Sequence, residues 1–232
     1  MAKTFTKIGK EITIAVKQGG PDVVGNSRLR ALMAEARSEN MPKDNVEKAI
    51  KRALEKNQGD FKEVVFEGYG PHGIAYLVET ATDNNTRTVA NVRSYFTKCG
   101  GSLGTSGSVS FMFDHKCVFR IKYQEGMDLD ELQLALCECD DDPEVFIEEQ
   151  EDKDENITKN VVIYGAYESY GAIQKYIEDN GYELVSGGFE RIPNVDLKDV
   201  TPEQRETLDK LTGLLEDDDD VTNVYNTLKP AE

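Results

Sequence analysis

The side chains best suited to chemistry in this chain are basic and lie towards its N-terminus. Lys3, Lys7, Lys10 and Lys17 recur at intervals that gather them along one side of a helix. Arg28, Arg30 and Arg37 fall near the rim of a second helix. Lys43, Lys48, Lys51, Arg52 and Lys56 surround a third. Arg87 and Lys98 lie on the polar face of a later helix, and the 83–87 region joins the same candidate surface. Ammonium and guanidinium groups on long stems suit phosphate oxygens. Such contacts would orient a nucleic acid and weaken with salt without themselves reading its bases. An ordinary solvated lysine face is the competing reading, because charge alone does not define a nucleic-acid motif.

Other chemistries find less support. The glycine-rich run 100–107 could present backbone N–H groups to a phosphate. It follows a helix rather than a strand and lacks the Gly-Lys-Ser/Thr ending of a P-loop, so a structural connection is the favoured reading. His115, Cys117, Cys137 and Cys139 are the one conceivable metal cluster, but their one-residue spacings do not match zinc-ligand pairs. Cys99 fits a helix core face better than a nucleophile. With His72 and His115 the only histidines, a Ser-His-Asp or Cys-His centre has few candidate members. The acidic runs 140–142, 148–155 and 217–220 lack the ligand spacing and central Gly of an EF-hand, and read as solvated loops. The expectation is a protein that is not an enzyme and needs no cofactor or metal.

Three helices hold the N-terminal basic residues. In the first, Phe5, Ile8, Ile12 and Ala15 share a face, and Gly19-Gly20-Pro21 ends it. The second, over 26–39, turns Leu29, Leu32, Met33 and Ala36 inward. The third opens near Pro42 and buries Val46, Ile50, Ala53 and Leu54. A linker is expected at 57–60. Gly68, Gly70, Pro71 and Gly73 then make a tight turn, followed by a buried strand over 74–81. Thr82 or Asp83 is placed to cap a helix whose inner face is Val89, Val92, Phe96 and Cys99 and which Gly100 and Gly101 stop. The run 108–113 alternates as a strand.

From 116 to 191 the pattern is strand (116–123), helix (128–139), strand (144–149), strand (160–164), helix (168–179), strand (182–191). That order is the split βαβ, ferredoxin-like one. A short strand at 195–197, a helix over 202–215 and a strand over 221–228 are too few for a domain and are expected to fold back on 61–115. The fold class expected is therefore α+β and multidomain: an N-terminal three-helix module plus two α/β domains, one ferredoxin-like and inserted into the other. The boundaries expected are 1–60, 61–115 plus 192–232, and 116–191.

The net charge is −17, which alone argues against a polyanionic partner. Its distribution reverses that argument. Residues 1–60 hold 12 Lys/Arg against 8 Asp/Glu, whereas 121–232 hold 9 against 31, so a nucleic-acid face belongs to the first half. No apolar run approaches the roughly 20 residues that span a bilayer. Four cysteines give no disulfide-scaffold density, and a cytoplasmic protein is expected.

The motifs EGYGPHG, TDNNTRTVANVR and GGSLGTSGSVSFMF, preceded by NSRLR and NMPKDNVEKAIKR, resemble the YebC/PmpR family over almost the whole chain. Two departures stand out. Thr86-Arg87-Thr88 replaces the usual Asn-Arg-Thr. The chain opens on Met1-Ala2-Lys3-Thr4-Phe5 where the family begins with a basic Gly-His-Ser-Lys-Trp-like segment, so an internal start would remove a phosphate-binding arm. The resemblance implies a helical N-terminal domain, two α/β domains and a non-enzymatic, DNA-binding regulator of transcription. A ribosome-associated translation factor on structured RNA, like the related mitochondrial activator of cytochrome oxidase synthesis, is the alternative. An acidic protein-interaction module is the third reading. The expected partners are DNA or ribosomal or structured RNA, with no membrane, and the chain is expected to be a monomer.

Overall fold

The computed structural model describes residues 2–55, 60–151 and 157–231. Three helices come first: α1 (Ala2–Gly19), α2 (Ser27–Ser38) and α3 (Lys43–Leu54). Strands β1 (Lys62–Tyr69) and β2 (Ala75–Thr82), helix α4 (Asn85–Lys98) and a two-residue strand β3 (Ser102–Leu103) follow. Next come β4 (Phe113–Lys122), α5 (Leu129–Leu136), β5 (Glu144–Glu151), β6 (Ile157–Ala166), α6 (Tyr170–Asp179) and β7 (Leu184–Pro193). Helix α7 (Pro202–Glu216) and strand β8 (Val221–Asn226) complete the order. The fold is α+β, with N-terminal helices ahead of α/β domains and a ferredoxin-like segment inserted in the chain between β3 and α7. Contacts group the described residues into two compact units. One lies within Met1–Ile14, Lys51–Asp114 and Arg191–Glu232, the other within Ala15–Ile50 and His115–Glu190.

In the first unit the sheet order is β3-β1-β2-β8, with antiparallel pairing throughout. Strand β2 is central and buried on both faces. Ile74, Tyr76 and Val78 meet Val92 and Phe96 of α4 and Leu208, Leu211 and Leu215 of α7. Ala75 and Leu77 pack instead with Val109 and Phe113. Val224 of β8 lies opposite Val78 of β2. Thr201 and Gln204 form a capping box at the start of α7, satisfying backbone donors that a helix end leaves unpaired.

In the second unit the sheet order β5-β6-β4-β7 is the ferredoxin-like one. Phe119, Ile121, Val161 and Ile163 alternate onto one face against Leu132 and Leu136 of α5 and Ile173 and Ile177 of α6. Ala31 of α2 joins this core. Asn26 organises the entry to α2. Its Oδ1 accepts the Leu29 N–H at 3.0 Å, and its Nδ2 donates to the carbonyls of Ala15 and Gly20 at 2.8 and 2.9 Å.

The structure departs from the sequence reading in several places. Leu54, expected on the inner face of α3, is 58% exposed, and Ala49 is the buried residue of that helix. Strand β1 was not expected, because Glu67 and Gly68 interrupt its apolar pattern. The run 108–113 is not a strand. Residues Ser110–Met112 form a 3-10 turn and β4 starts at Phe113, because Glu67 takes the backbone donors that a ladder would need. The strand expected at 195–197 reduces to a single bridge between Lys198 and Leu228. The cap of α4 is Asn84, whose Oδ1 accepts the Arg87 N–H, while Thr82 Oγ1 accepts the N–H of Asn84 itself. The expected linker at 57–60 lies, apart from Asp60, outside the described residues, as do Lys56 and most of the loop between β5 and β6.

Candidate nucleic-acid interface

In the first unit, the lysines of α1 meet the acidic run at the end of α7. Lys3 Nζ is 2.5 Å from Asp217 Oδ1, with both side chains exposed (54% and 74%). Lys7 Nζ donates to the Glu216 carbonyl at 3.3 Å, and burial lowers its pKa even though Glu216 and Asp217 act to raise it. Lys10 is enclosed. Its Nζ donates to Asp220 Oδ1 at 2.8 Å and to the carbonyls of Asp219 and Ala81 at 2.7 and 3.2 Å. The two side chains are 11% and 6% exposed.

Asp220 is a hub. Besides Lys10 it accepts from Arg87 Nη2 at 2.6 Å, Arg87 Nε at 3.2 Å and Thr88 Oγ1 at 2.9 Å. Burial would raise its pKa, but the hydrogen bonds from Lys10, Arg87 and Thr88 outweigh burial and hold it below the ordinary carboxylate value. Arg87 also meets Asp83 Oδ1 at 3.1 Å, and hydrogen bonding to Asp220 raises the guanidinium's pKa further. Asp218 accepts from Tyr95 Oη at 2.9 Å and Asn91 Nδ2 at 3.2 Å. Burial and that bond push the Tyr95 phenol up to about 12. Arg52 stacks on Phe61, its guanidinium carbon 4.3 Å from the ring centroid, and stands 4.0 Å from Asp83. These groups line a cleft of about 520 Å³. Lys51 is exposed, and Lys98 is exposed with its Nζ 5.8 Å from the Tyr95 ring centroid.

In the second unit, Arg30 is held by Glu178, with Nε 2.8 Å from Oε1, and by the carbonyls of Val23 and Val24. Arg28 Nη1 donates to Gln18 Oε1 at 3.1 Å, and Lys17 is exposed in the last turn of α1. Lys43 and Lys48 are exposed on α3 and have no ion pair among the described residues.

The basic set therefore divides by partner rather than by helix. Lys3, Lys7, Lys10, Arg30 and Arg87 engage backbone or carboxylate acceptors of the fold, whereas Lys43, Lys48 and Lys51 turn to solvent. The acidic partners were not visible in the sequence. The runs 217–220 and 140–142, expected as solvated loops, each contain one buried carboxylate: Asp220, and Asp140, which accepts the N–H groups of Asp142 and Ala166.

The glycine-rich loop is likewise closed by the chain's own carboxylate. Glu67, 5% exposed, accepts the N–H groups of Gly107, Val109 and Ser110 at 2.7, 2.7 and 2.8 Å. Of these donors only the Gly107 N–H belongs to the 100–107 run, and it already holds an anion. His115 stacks on Tyr167 at 4.4 Å, and Cys117 is buried, its thiol pushed up to about 12 by burial. Among the described residues no group of three His, Cys, Asp or Glu is placed to hold a metal, and no helix is long and apolar enough to cross a membrane.

Comparison with known proteins gives this geometry its context. A family model described as the TACO1/YebC protein N-terminal domain matches residues 1–56, and one described as the TACO1/YebC second and third domain matches 61–228. The chain is 59% identical over 229 residues to a probable transcriptional regulatory protein of Parabacteroides distasonis, covering 99% of this chain and 90% of that one. Proteins with the same name in Bacteroides thetaiotaomicron (100% of this chain, 91% of the relative) and Flavobacterium johnsoniae (99% and 92%) are 56% and 54% identical. The crystal structure of a conserved hypothetical protein from Aquifex aeolicus superposes with a TM-score of 0.80 at 32% identity, covering 100% of this chain and 91% of that one. The chain belongs to the TACO1/YebC family.

Proposed function

We propose that this protein regulates gene expression by binding nucleic acid, without catalysing a reaction, as a cytoplasmic monomer. The observation that carries the reading is the full-length likeness to relatives named probable transcriptional regulatory proteins. The exposed lysines support it. Lys43 and Lys48 in one unit and Lys51 and Lys98 in the other can reach phosphates without breaking an ion pair among the described residues. Lys17, Arg28 and Arg52 belong to the same proposed set, with Lys3, Lys7, Lys10, Arg30 and Arg87 acting through the contacts described above.

A second reading, a translation factor on ribosomal or structured RNA, rests on the kind of contact these residues offer. Long cationic side chains follow backbone phosphates and helix shape rather than base edges, and RNA helices are recognised by shape and backbone. Sedimentation of the tagged native protein through lysate over a salt series, with bound DNA and RNA sequenced, separates the readings. Discrete promoter DNA supports transcriptional control, and co-sedimentation with ribosomal RNA supports the translation factor. Enrichment of neither defeats both and leaves an acidic protein-interaction module.

A further inference from the structure

Lys3, Lys7 and Lys10 follow one another at intervals of four and three, so they share a helical face along which a phosphate backbone could run. In the structure that face already meets a line of negative groups. Asp217 Oδ1, the Glu216 carbonyl and Asp220 Oδ1 accept from the three ammonium groups in turn. These acceptors sit at and just beyond the C-terminal end of α7, the negative pole of that helix. We propose that the outer acids of this run, Asp217 on Lys3 and the exposed Asp219, whose backbone carbonyl accepts from Lys10, are an internal substitute for phosphate along this face, so that nucleic acid reaches Lys3 and Lys7 only by displacing them. The inference rests on the nucleic-acid reading above and adds a regulation to it.

The contacts grade in the way such a device requires. The inner rung, Lys10 with Asp220, is almost wholly buried and shared with Arg87 and Thr88. It anchors the helix. The outer rung, Lys3 with Asp217, is mostly exposed. Ion pairs of that kind contribute only about 0–1 kcal/mol and weaken as salt rises. A polyanion offering several phosphates can therefore take Lys3 and Lys7 while Lys10 keeps α1 in place. Lysine suits the exchange, since its ammonium is a point charge on a flexible stem.

The test uses the full chain, a fluorescein-labelled RNA hairpin and four proteins: the parent, D217N/D219N, K3Q/K7Q, and the combination of both pairs. Asp217 and Asp219 are exposed, so their neutralisation should leave the thermal melt close to the parent's. Anisotropy is read from about 50 to about 200 mM salt, where each phosphate contact adds about 0.7 to 0.9 to the log–log salt slope. D217N/D219N is expected to bind about tenfold more tightly at the low-salt end, with a slope steeper by about 1.5. K3Q/K7Q should abolish the whole gain when combined with the acid pair. An unchanged affinity in D217N/D219N overturns the inference. So does a gain that survives in the combined variant, which would reflect net charge alone. If none of the four proteins binds this RNA or the matching DNA duplex, the nucleic-acid reading falls and takes the inference with it. Binding that ignores the acids defeats the inference alone.

Discussion

Two buried carboxylates, Glu67 and Asp220, hold the first unit together, each by accepting several hydrogen bonds from distant parts of the chain. Glu67 closes the loop after β3 through three backbone N–H groups. Glu67→Gln removes the charge and gives one of its two oxygens over to an amide that can only donate. The variant should lose about 2 to 3 kcal/mol, read as a lower urea midpoint at neutral pH with an unchanged slope. Burial acts to raise the pKa of Glu67, but those three donors outweigh it and the net direction is down from 4.5. A depressed folded value means that the stabilisation is complete above 4.5 and is lost as pH falls through the lower folded pKa. The gap between parent and E67Q midpoints should therefore narrow below about pH 4.5 and be constant above about pH 5.5. Asp220 predicts an asymmetry instead. Asp220→Asn leaves the enclosed ammonium of Lys10 without its counterion and should cost about 3 kcal/mol or more. Lys10→Met leaves Asp220 with Arg87 and Thr88 and should cost less. Equal losses would show that the pair, not the hub, is what matters.

At the scale of elements, much of the fold was legible because its helices carry their signals locally. The face Val92, Phe96 and Cys99 and the stop at Gly100, whose φ is +76°, could be read from residue type and spacing. So could the strand-helix order of 116–191, which fixed the ferredoxin-like arrangement before any pairing was known. What escaped were elements made by distant partners. Strand β1 looks too polar to pair until Glu67 is seen to face a loop 40 to 43 residues later. The basic site was legible as a set of residues and not as an arrangement. Spacing places Lys3, Lys7 and Lys10 on one face, but only the return of α7 shows that the face is already paired. Gly101 makes the same point about close approach. A Cβ there would stand 2.5 Å from the Tyr69 carbonyl and 3.0 Å from Gly70 Cα, atoms of backbone that cannot rotate away. Gly101→Ala should therefore separate β3 from β1 and cost about 2 kcal/mol or more in a thermal or urea melt. Thr201→Ala at the α7 cap, which removes one hydroxyl acceptor and half of the capping box, should cost about 1 kcal/mol.

For the whole molecule, the question is which parts unfold together. The boundaries 1–60, 61–115 plus 192–232, and 116–191 are a proposal about cooperative units, and native-state hydrogen exchange reads such units directly as groups of amides with a common opening free energy. The first unit depends on α7, whose Leu208, Leu211 and Leu215 lie with Tyr76 and Phe96 in one core. Leu211→Ala leaves a cavity there and should cost about 3 kcal/mol. If the inserted segment is a separate cooperative unit, this variant lowers protection in β1, β2 and β8 and leaves Phe119, Val161 and Ile163 unchanged. A uniform drop across both sets would make the chain one cooperative unit and remove the inner boundaries. Helix α1 decides the remaining one. Its Ile8 and Ile12 amides form a class of their own if 1–60 opens independently. They lose protection with β2 if Lys10, through Asp220 and the Ala81 carbonyl, ties the helix to the split domain's opening. The distinction bears on function, because a helix that opens by itself can offer Lys3, Lys7 and Lys10 to phosphates together, whereas one that opens only with β2 can release no more than its outer lysines.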